Sequence, residues 1–221
     1  MSISYDLIMV VASKDRELVQ MTQRAIDSCL ADGANVNVIL IETYVITQYQ
    51  NVNKVIYYDE EFCYNRCLNY GLKYAKNDIV ILANNDIIFE KGWSTIGETM
   101  MKNNYLSASA LSTDPRQRAF KKGNYAYEGY HIGMHLTGWC IFAQRKLFDI
   151  IGKLSEGVNF WYSDNLYAEQ LKKAGIVHAL ICNVSVLHLT SRTLIKEDVK
   201  KRHLLTHAES KKIHKSHTTH I

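Results

Sequence analysis

The tripeptide Asn84-Asn85-Asp86 follows directly on the apolar run Asp78–Ala83 (DIVILA). A carboxylate at the carboxyl end of a buried strand is placed to hold Mg2+ or Mn2+, ions that take one or two carboxylates together with phosphate oxygens. Such an ion would let a chain with a neutral body bind a diphosphate, and the Asn84 amide suits a ribose hydroxyl. The alternative is an Asn-rich turn in which Asp86 caps a helix. Further on, Phe160-Trp161-Tyr162-Ser163-Asp164 precedes a helical stretch, Asn165–Ala174. Asp164 suits two roles there. It is an acceptable helix N-cap, and it is also a carboxylate beside rings that stack on a sugar's apolar face, where it takes a proton from a hydroxyl. His188 closes the run VSVLHL and precedes Arg192. Imidazole is a good Mn2+ ligand, and a guanidinium is a fork-shaped donor for a diphosphate. Each feature alone is common; the signal lies in their order.

The elements that must position these residues alternate. Leu7–Val11 is a continuous apolar run, as expected of a strand covered on both faces. Leu18, Met21, Ala25, Ile26 and Cys29 share one helical face over Glu17–Leu30, with Gly33 placed to end the helix. Val36–Ile41 and Lys54–Tyr58 read as strands, Tyr64–Ala75 as a helix and Asp78–Ala83 as a strand. The first half is therefore β-α-β-β-α-β, which predicts an α/β fold with a mainly parallel sheet flanked by helices. Ligands bind beyond the carboxyl ends of such strands, which points to Ser13–Arg16, Glu42–Tyr44 and Asn84–Asp86. The second half predicts a helix at Trp93–Asn103, a long loop at Ser112–Tyr130, strands at Gly138–Gln144 and Ile176–Leu187, and the helix after Asp164. One domain is expected over residues 1–193, with a separate tail over 194–221.

Composition excludes several classes. The chain has 221 residues, of which 47% are hydrophobic and 22% charged, so it is neither disordered nor fibrous. No apolar run reaches the ~20 residues of a membrane span. The start, MSISYDLIMVVASKD, has no basic leader, and five cysteines without paired spacing suit free thiols. A cytoplasmic location is expected. The whole net charge of +4 falls in residues 196–221, which also hold His203, His207, His214, His217 and His220. A basic, His-rich tail suggests an anionic partner, or else a solvated face.

The order and spacing of these motifs resemble the family 2 glycosyltransferases, which have the GT-A fold, over residues 4–193. Asp6–Arg16 is similar to the family's opening strand and nucleotide-contacting turn, which implies donor contacts at Ser13 and Arg16. Val38–Glu42 resembles its second strand, with acidic Glu42 near the base. Asn69-Tyr70-Gly71 resembles its Asn-x-Gly element. Asn84-Asn85-Asp86 stands where the family has its metal motif, and Thr137-Gly138-Trp139-Cys140 looks like the segment lining its sugar pocket. Trp161-Tyr162-Ser163-Asp164 followed by Leu171–Gly175 resembles its acidic pair and following helix, with Ser163 where Glu is usual. His188 matches the late metal-site His.

The resemblance implies an inverting transfer of sugar from a nucleoside-diphosphate sugar, with uridine diphosphate as the expected nucleotide. Asp86 and His188 would hold Mn2+ or Mg2+. Asp164 would be the general base. Ser13, Arg16, Glu42, Asn69, Asn84, Asn85 and Arg192 would contact the donor. Gly138, Trp139, Trp161, Tyr162 and Ser163 would line the sugar and acceptor pocket. The acceptor stays open between a hydroxymethylated base in phage DNA, which the basic tail favours, and a polysaccharide or glycolipid. Two other classes compete: a nucleotidyltransferase, disfavoured because Ala12–Arg16 has no Gly, and a non-catalytic nucleotide-sugar or nucleic-acid-binding protein.

Overall fold

The computed structural model describes residues 3–45, 47–189 and 196–206. Arg192 and the tail histidines other than His203 lie outside the described residues.

Four strands form the first half of the sheet: β1 (Ser4–Val11), β2 (Asn35–Glu42), β3 (Lys54–Tyr57) and β4 (Ile79–Asn84). They are parallel, in the order β3-β2-β1-β4. Helix α1 (Arg16–Leu30) covers one face and α2 (Tyr64–Leu72) the other. Alternation along β1 divides the core. Leu7, Met9 and Val11 pack with Ala25, Ile26 and Cys29 of α1, while Ile8 packs with Cys67 and Leu68 of α2. Burial on both faces is why these strands are unbroken runs of Val, Ile and Leu.

Beyond β4 the sheet is mixed rather than parallel. It continues through β8 (Cys140–Gln144), β6 (Ser107–Ser112), β9 (His178–His188) and β5 (Ile87–Phe89), and β7 (Ala126–Glu128) also pairs with β9. β8 is antiparallel to both β4 and β6, whereas β6 and β9 are parallel. Strand directions therefore bring the end of β4, the start of β8, the end of β6 and the end of β9 to one edge of the molecule. The helices of this half are α3 (Thr95–Lys102), α4 (Leu147–Ile151) and α5 (Ser163–Lys173); the last buries Tyr167, Ala168 and Leu171. A final short helix, α6 (Val199–Leu205), is capped by Asp198, which accepts the Lys201 N–H at 2.9 Å.

The predicted loop at 112–130 is not structureless. It contains a single 3-10 turn, Pro115–Gln117, and β7. All five cysteines are free and buried. No described helix is long and apolar enough to cross a membrane.

Candidate functional site

Strand pairing fixes the metal-type pair. Ile87, the first residue of β5, is opposite His188, the last residue of β9, and the Leu189 N–H donates to the Asp86 carbonyl at 2.7 Å. Asp86 is thereby carried to the end of β9, and its Oδ1 stands 3.3 Å from His188 Nε2. Both side chains are largely buried, 4% exposed for Asp86 and 15% for His188. The Trp139 ring lies flat on the His188 imidazole, with centroids 4.8 Å apart and planes 4° off parallel, which limits how the ring can turn. The pair fits a divalent ion: donors each about 2.1 Å from an octahedral centre stand roughly 3 Å apart when adjacent. No third His, Cys, Asp or Glu joins them among the described residues. Mg2+ and Mn2+ sites of this kind draw their remaining ligands from water and substrate phosphates. Asp86 lies between two strands, so it is not the helix cap that the tripeptide also allowed.

Asp164 belongs to the first turn of α5, and the helix's N-cap position is Tyr162. Its carboxylate accepts the adjacent Asn165 N–H at 3.0 Å, and its own backbone N–H also favours the charged form. Capping therefore does not account for it. Tyr162 holds φ at +70°, a left-handed conformation that costs a non-glycine residue about 1–2 kcal/mol. The Ser163 hydroxyl donates to the Phe160 carbonyl. Gly138 lies against the carboxylate, and a Cβ there would stand 2.7 Å from Asp164 Cβ and Oδ2. Burial raises the Asp164 pKa above the usual carboxylate range; the Asn165 N–H and, more weakly, Arg116 oppose that rise.

One cleft of about 410 Å³ is lined by Asp164, His188, Asn84, Gly138, Trp139, Trp161, Tyr162, Ser163, Tyr64 and Arg116, among others. That volume suits a small-molecule ligand, for which 300–1,000 Å³ is typical. Trp161 is 43% exposed and gives the cleft an aromatic wall reachable from solvent. Trp139 is 8% exposed and buttresses His188.

Tyr64 and Arg116 are polar residues of the lining that are not among the expected site residues. The Tyr64 hydroxyl donates to Asn84 Oδ1 at 2.8 Å and lies within the field of both Asp86 and Asp164. Arg116 is clamped by Asp114 through two contacts of 2.9 Å, and its guanidinium sits 5.8 Å from the centre of the Trp139 ring. The only sequence signal for Arg116 was the Asp-Pro start of its turn, since Asp114 also accepts the Arg116 N–H.

A second, smaller cleft of about 130 Å³ adjoins the first at Asn84, Tyr64 and Phe160. It lies at the carboxyl ends of β1 and β4 and is lined by Val10–Ala12, Lys14, Thr43, Tyr44, Asn85 and Asp86, and also by Glu197, Lys201 and Leu205 of the chain end.

Other expected donor contacts are engaged elsewhere. Glu42 is fully buried; it accepts the Ser13 and Tyr44 N–H groups at 3.0 Å each, and the Ser13 hydroxyl. Glu42 and Ser13 thus tie together the ends of β1 and β2, and neither lines either of these two clefts. Asn69 exchanges two 2.9 Å hydrogen bonds with the Leu154 backbone, so it tethers a loop. Arg16 is an exposed residue at the start of α1 and lines neither cleft. Asn85 lines the smaller cleft, but its amide donates away from it, to Thr22 Oγ1 at 2.9 Å.

No family model matches the chain, and no curated protein matches it. Solved structures do. A crystal structure of GalNAc-T7 with UDP, GalNAc and Mn2+ superposes with a TM-score of 0.66 over 85% of this chain and 43% of its own, at 12% identity. Residues 1–349 of TarS from S. aureus superpose with a TM-score of 0.60 over 84% of this chain and 60% of that one, at 10% identity. The chain thus spans about half the length of these neighbours. Both have the GT-A fold, and the mixed nine-stranded sheet flanked by helices is that fold.

Proposed function

We propose that the chain transfers a sugar from a nucleoside-diphosphate sugar to an acceptor hydroxyl, with inversion at the anomeric carbon. The observation that carries this reading is the shared cleft. Asp164, a half-buried carboxylate that is not the helix's N-cap, and His188, paired with Asp86, line the same space. The fold likeness supports the donor class, since the GalNAc-T7 structure contains UDP and Mn2+.

In this reading Asp86 and His188 would hold a divalent cation, which would supply positive charge to the departing diphosphate. Asp164 takes the proton of the acceptor hydroxyl as its oxygen bonds to the anomeric carbon. The bond from that carbon to the phosphate oxygen breaks, and its electron pair leaves on the diphosphate. Gly138 lets Asp164 approach the reacting centre, and Trp139 keeps the His188 ring in one orientation. Trp161, aromatic and half-exposed at the cleft, favours a carbohydrate acceptor, because an indole stacks on a pyranose face. A DNA acceptor is less supported: in the described part of the tail, Lys196 pairs with Asp15 and Glu17, and Lys201 with Glu197.

The test is product analysis with a panel of nucleotide sugars, Mn2+ and oligosaccharide acceptors. Nucleoside diphosphate and a glycosylated acceptor are expected. Release of pyrophosphate from a nucleoside triphosphate and a sugar phosphate would instead make the chain a nucleotidyltransferase. Binding without turnover of any donor would make it a binding protein.

A further inference from the structure

The smaller cleft contains a charge arrangement that the proposed chemistry does not use. The Glu197 carboxylate lies 2.5 Å from Lys14 Nζ and 3.4 Å from Lys201 Nζ. Lys14 follows β1, at the turn before α1, and Lys201 lies on α6. All three residues line the cleft that Asp86 also lines. The Glu197 side chain is only 11% exposed and that of Lys14 20%, so this is not a loose surface pair. The chain end is held over the cleft on both sides. Lys196 meets Asp15 at 2.7 Å and Glu17 at 2.6 Å, the Trp161 backbone N–H donates to the Leu205 carbonyl at 3.2 Å, and Leu205 is buried. The volume left, about 130 Å³, is well under that of a nucleotide-sized site.

We propose that Lys14 and Lys201 form the anion site for the donor's diphosphate, and that Glu197 fills it as an internal competitor which the incoming nucleotide displaces. The inference rests on the nucleotide-sugar reading above and adds residues and a gate to it. Two ammonium groups converging beside a metal-type carboxylate suit a ligand carrying two or more negative charges. A single carboxylate in the turn before a short helix is a weaker partner for the same pair, and the difference favours exchange. Displacing Glu197 also lifts Leu205 and opens the room that a nucleoside needs. Donor binding and release of the chain end are then one event.

Calorimetry on the full chain tests this, with uridine diphosphate, uridine and inorganic pyrophosphate as probes, each with Mn2+ present. Glu197→Gln removes the competing charge while keeping the side chain's shape. It should bind uridine diphosphate and pyrophosphate about 3- to 10-fold more tightly than the wild type. Lys14→Ala and Lys201→Ala should each bind them about 10-fold more weakly. All of these substitutions lie outside the packed core, and equal melting temperatures check that the variants fold. Diphosphate affinities equal in wild type and Glu197→Gln would overturn the inference and leave the proposed transfer standing. Tighter pyrophosphate binding by Glu197→Gln with no uridine diphosphate binding to any variant would keep the anion site and remove the nucleotide reading. No binding of either probe would remove both.

Discussion

In the role proposed for it, Asp164 must be ionised before it can take a proton, and it is held where ionisation is costly. Burial raises its pKa above the ordinary carboxylate value, so the acid limb of the transfer rate should lie above the usual value of about 4. The same shift has a consequence for stability. The folded state binds the proton more tightly than the unfolded state, so stability falls as pH rises through the window between the two pKa values, and the full cost is present at neutral pH. Asp164→Asn is therefore expected to melt no lower than wild type at pH 7, and the comparison should shift in favour of wild type as pH falls to the point where Asp164 protonates. Its transfer rate should drop about 10²–10⁴-fold while nucleoside diphosphate affinity is kept. Melting curves, calorimetry and initial rates over a pH series check all three. A variant that is less stable at neutral pH and fully active would remove Asp164 from the base position. Asp86, Asp164 and His188 were readable in the sequence because each follows or ends a recognisable run. Tyr64 and Arg116 were not. Tyr64 reads as one more apolar face residue of a helix, and Arg116 sits in a stretch whose hydrophobic pattern is silent.

At the scale of elements, the Asn-x-Gly sequence of α2 shows how a motif read as a ligand contact serves to position a loop. The face of α2 is stitched to the segment leading to Asp164. Asn69 bonds the Leu154 backbone, Asn65 donates to the Ser155 carbonyl at 2.7 Å, and the Tyr64 N–H donates to the Asn159 carbonyl at 2.7 Å. A Cβ on Gly71 would collide with Ile8, so glycine lets the helix lie directly on β1. Asn69→Ala should cost about 1–3 kcal/mol, because it leaves buried backbone groups at Leu154 without partners, and should leave nucleoside diphosphate affinity unchanged. Intact stability with weakened binding would restore Asn69 to the donor site. Gly138, at the turn before β8, gives the complementary case. Gly138→Ala puts a methyl group 2.7 Å from the Asp164 side chain and must displace it. Displacements of about 1 Å at a reacting group cost about 10²-fold in rate, so kcat should fall by that order while melting temperature changes little. Unchanged kcat would mean that Asp164 does not depend on this close approach.

The two halves of the whole molecule differ in how plainly they were written. The parallel half was legible because strands covered on both faces must be apolar throughout. In the other half β6 is Ser107–Ser112, SASALS, and carries no hydrophobic run; β5 has three residues; and the β6–β9 register breaks between Ala110 and Leu111. The reason β6 is polar lies in its partner. His178 opens β9 and is fully buried; its Nδ1 is 2.7 Å from Ser107 Oγ and its Nε2 3.1 Å from Ser109 Oγ. Ser107 also meets the Tyr167 hydroxyl of α5 at 2.7 Å. One imidazole thus ties β9 to β6 and, through Ser107, to the helix whose first turn carries Asp164. Burial pushes the His178 pKa down to about 3 from the usual 6.5, against a hydrogen bond with the His135 backbone that favours the protonated ring. Between those values the unfolded chain binds a proton that the folded chain does not, so stability falls as pH drops from about 6.5 toward 3, with a slope of up to ~1.4 kcal/mol per pH unit from this group. His178→Gln keeps a hydrogen-bonding side chain and abolishes the titration. It should be less stable than wild type at pH 7 and lose less stability on acidification, so that its urea midpoints converge on those of wild type toward pH 4. Parallel pH profiles for the two proteins would show that His178 does not set the acid sensitivity of this half. The distinction bears on the proposed function: acidification should silence Asp164 by reversible protonation within a folded cleft, whereas at His178 it should act by loosening the strands that end at His188.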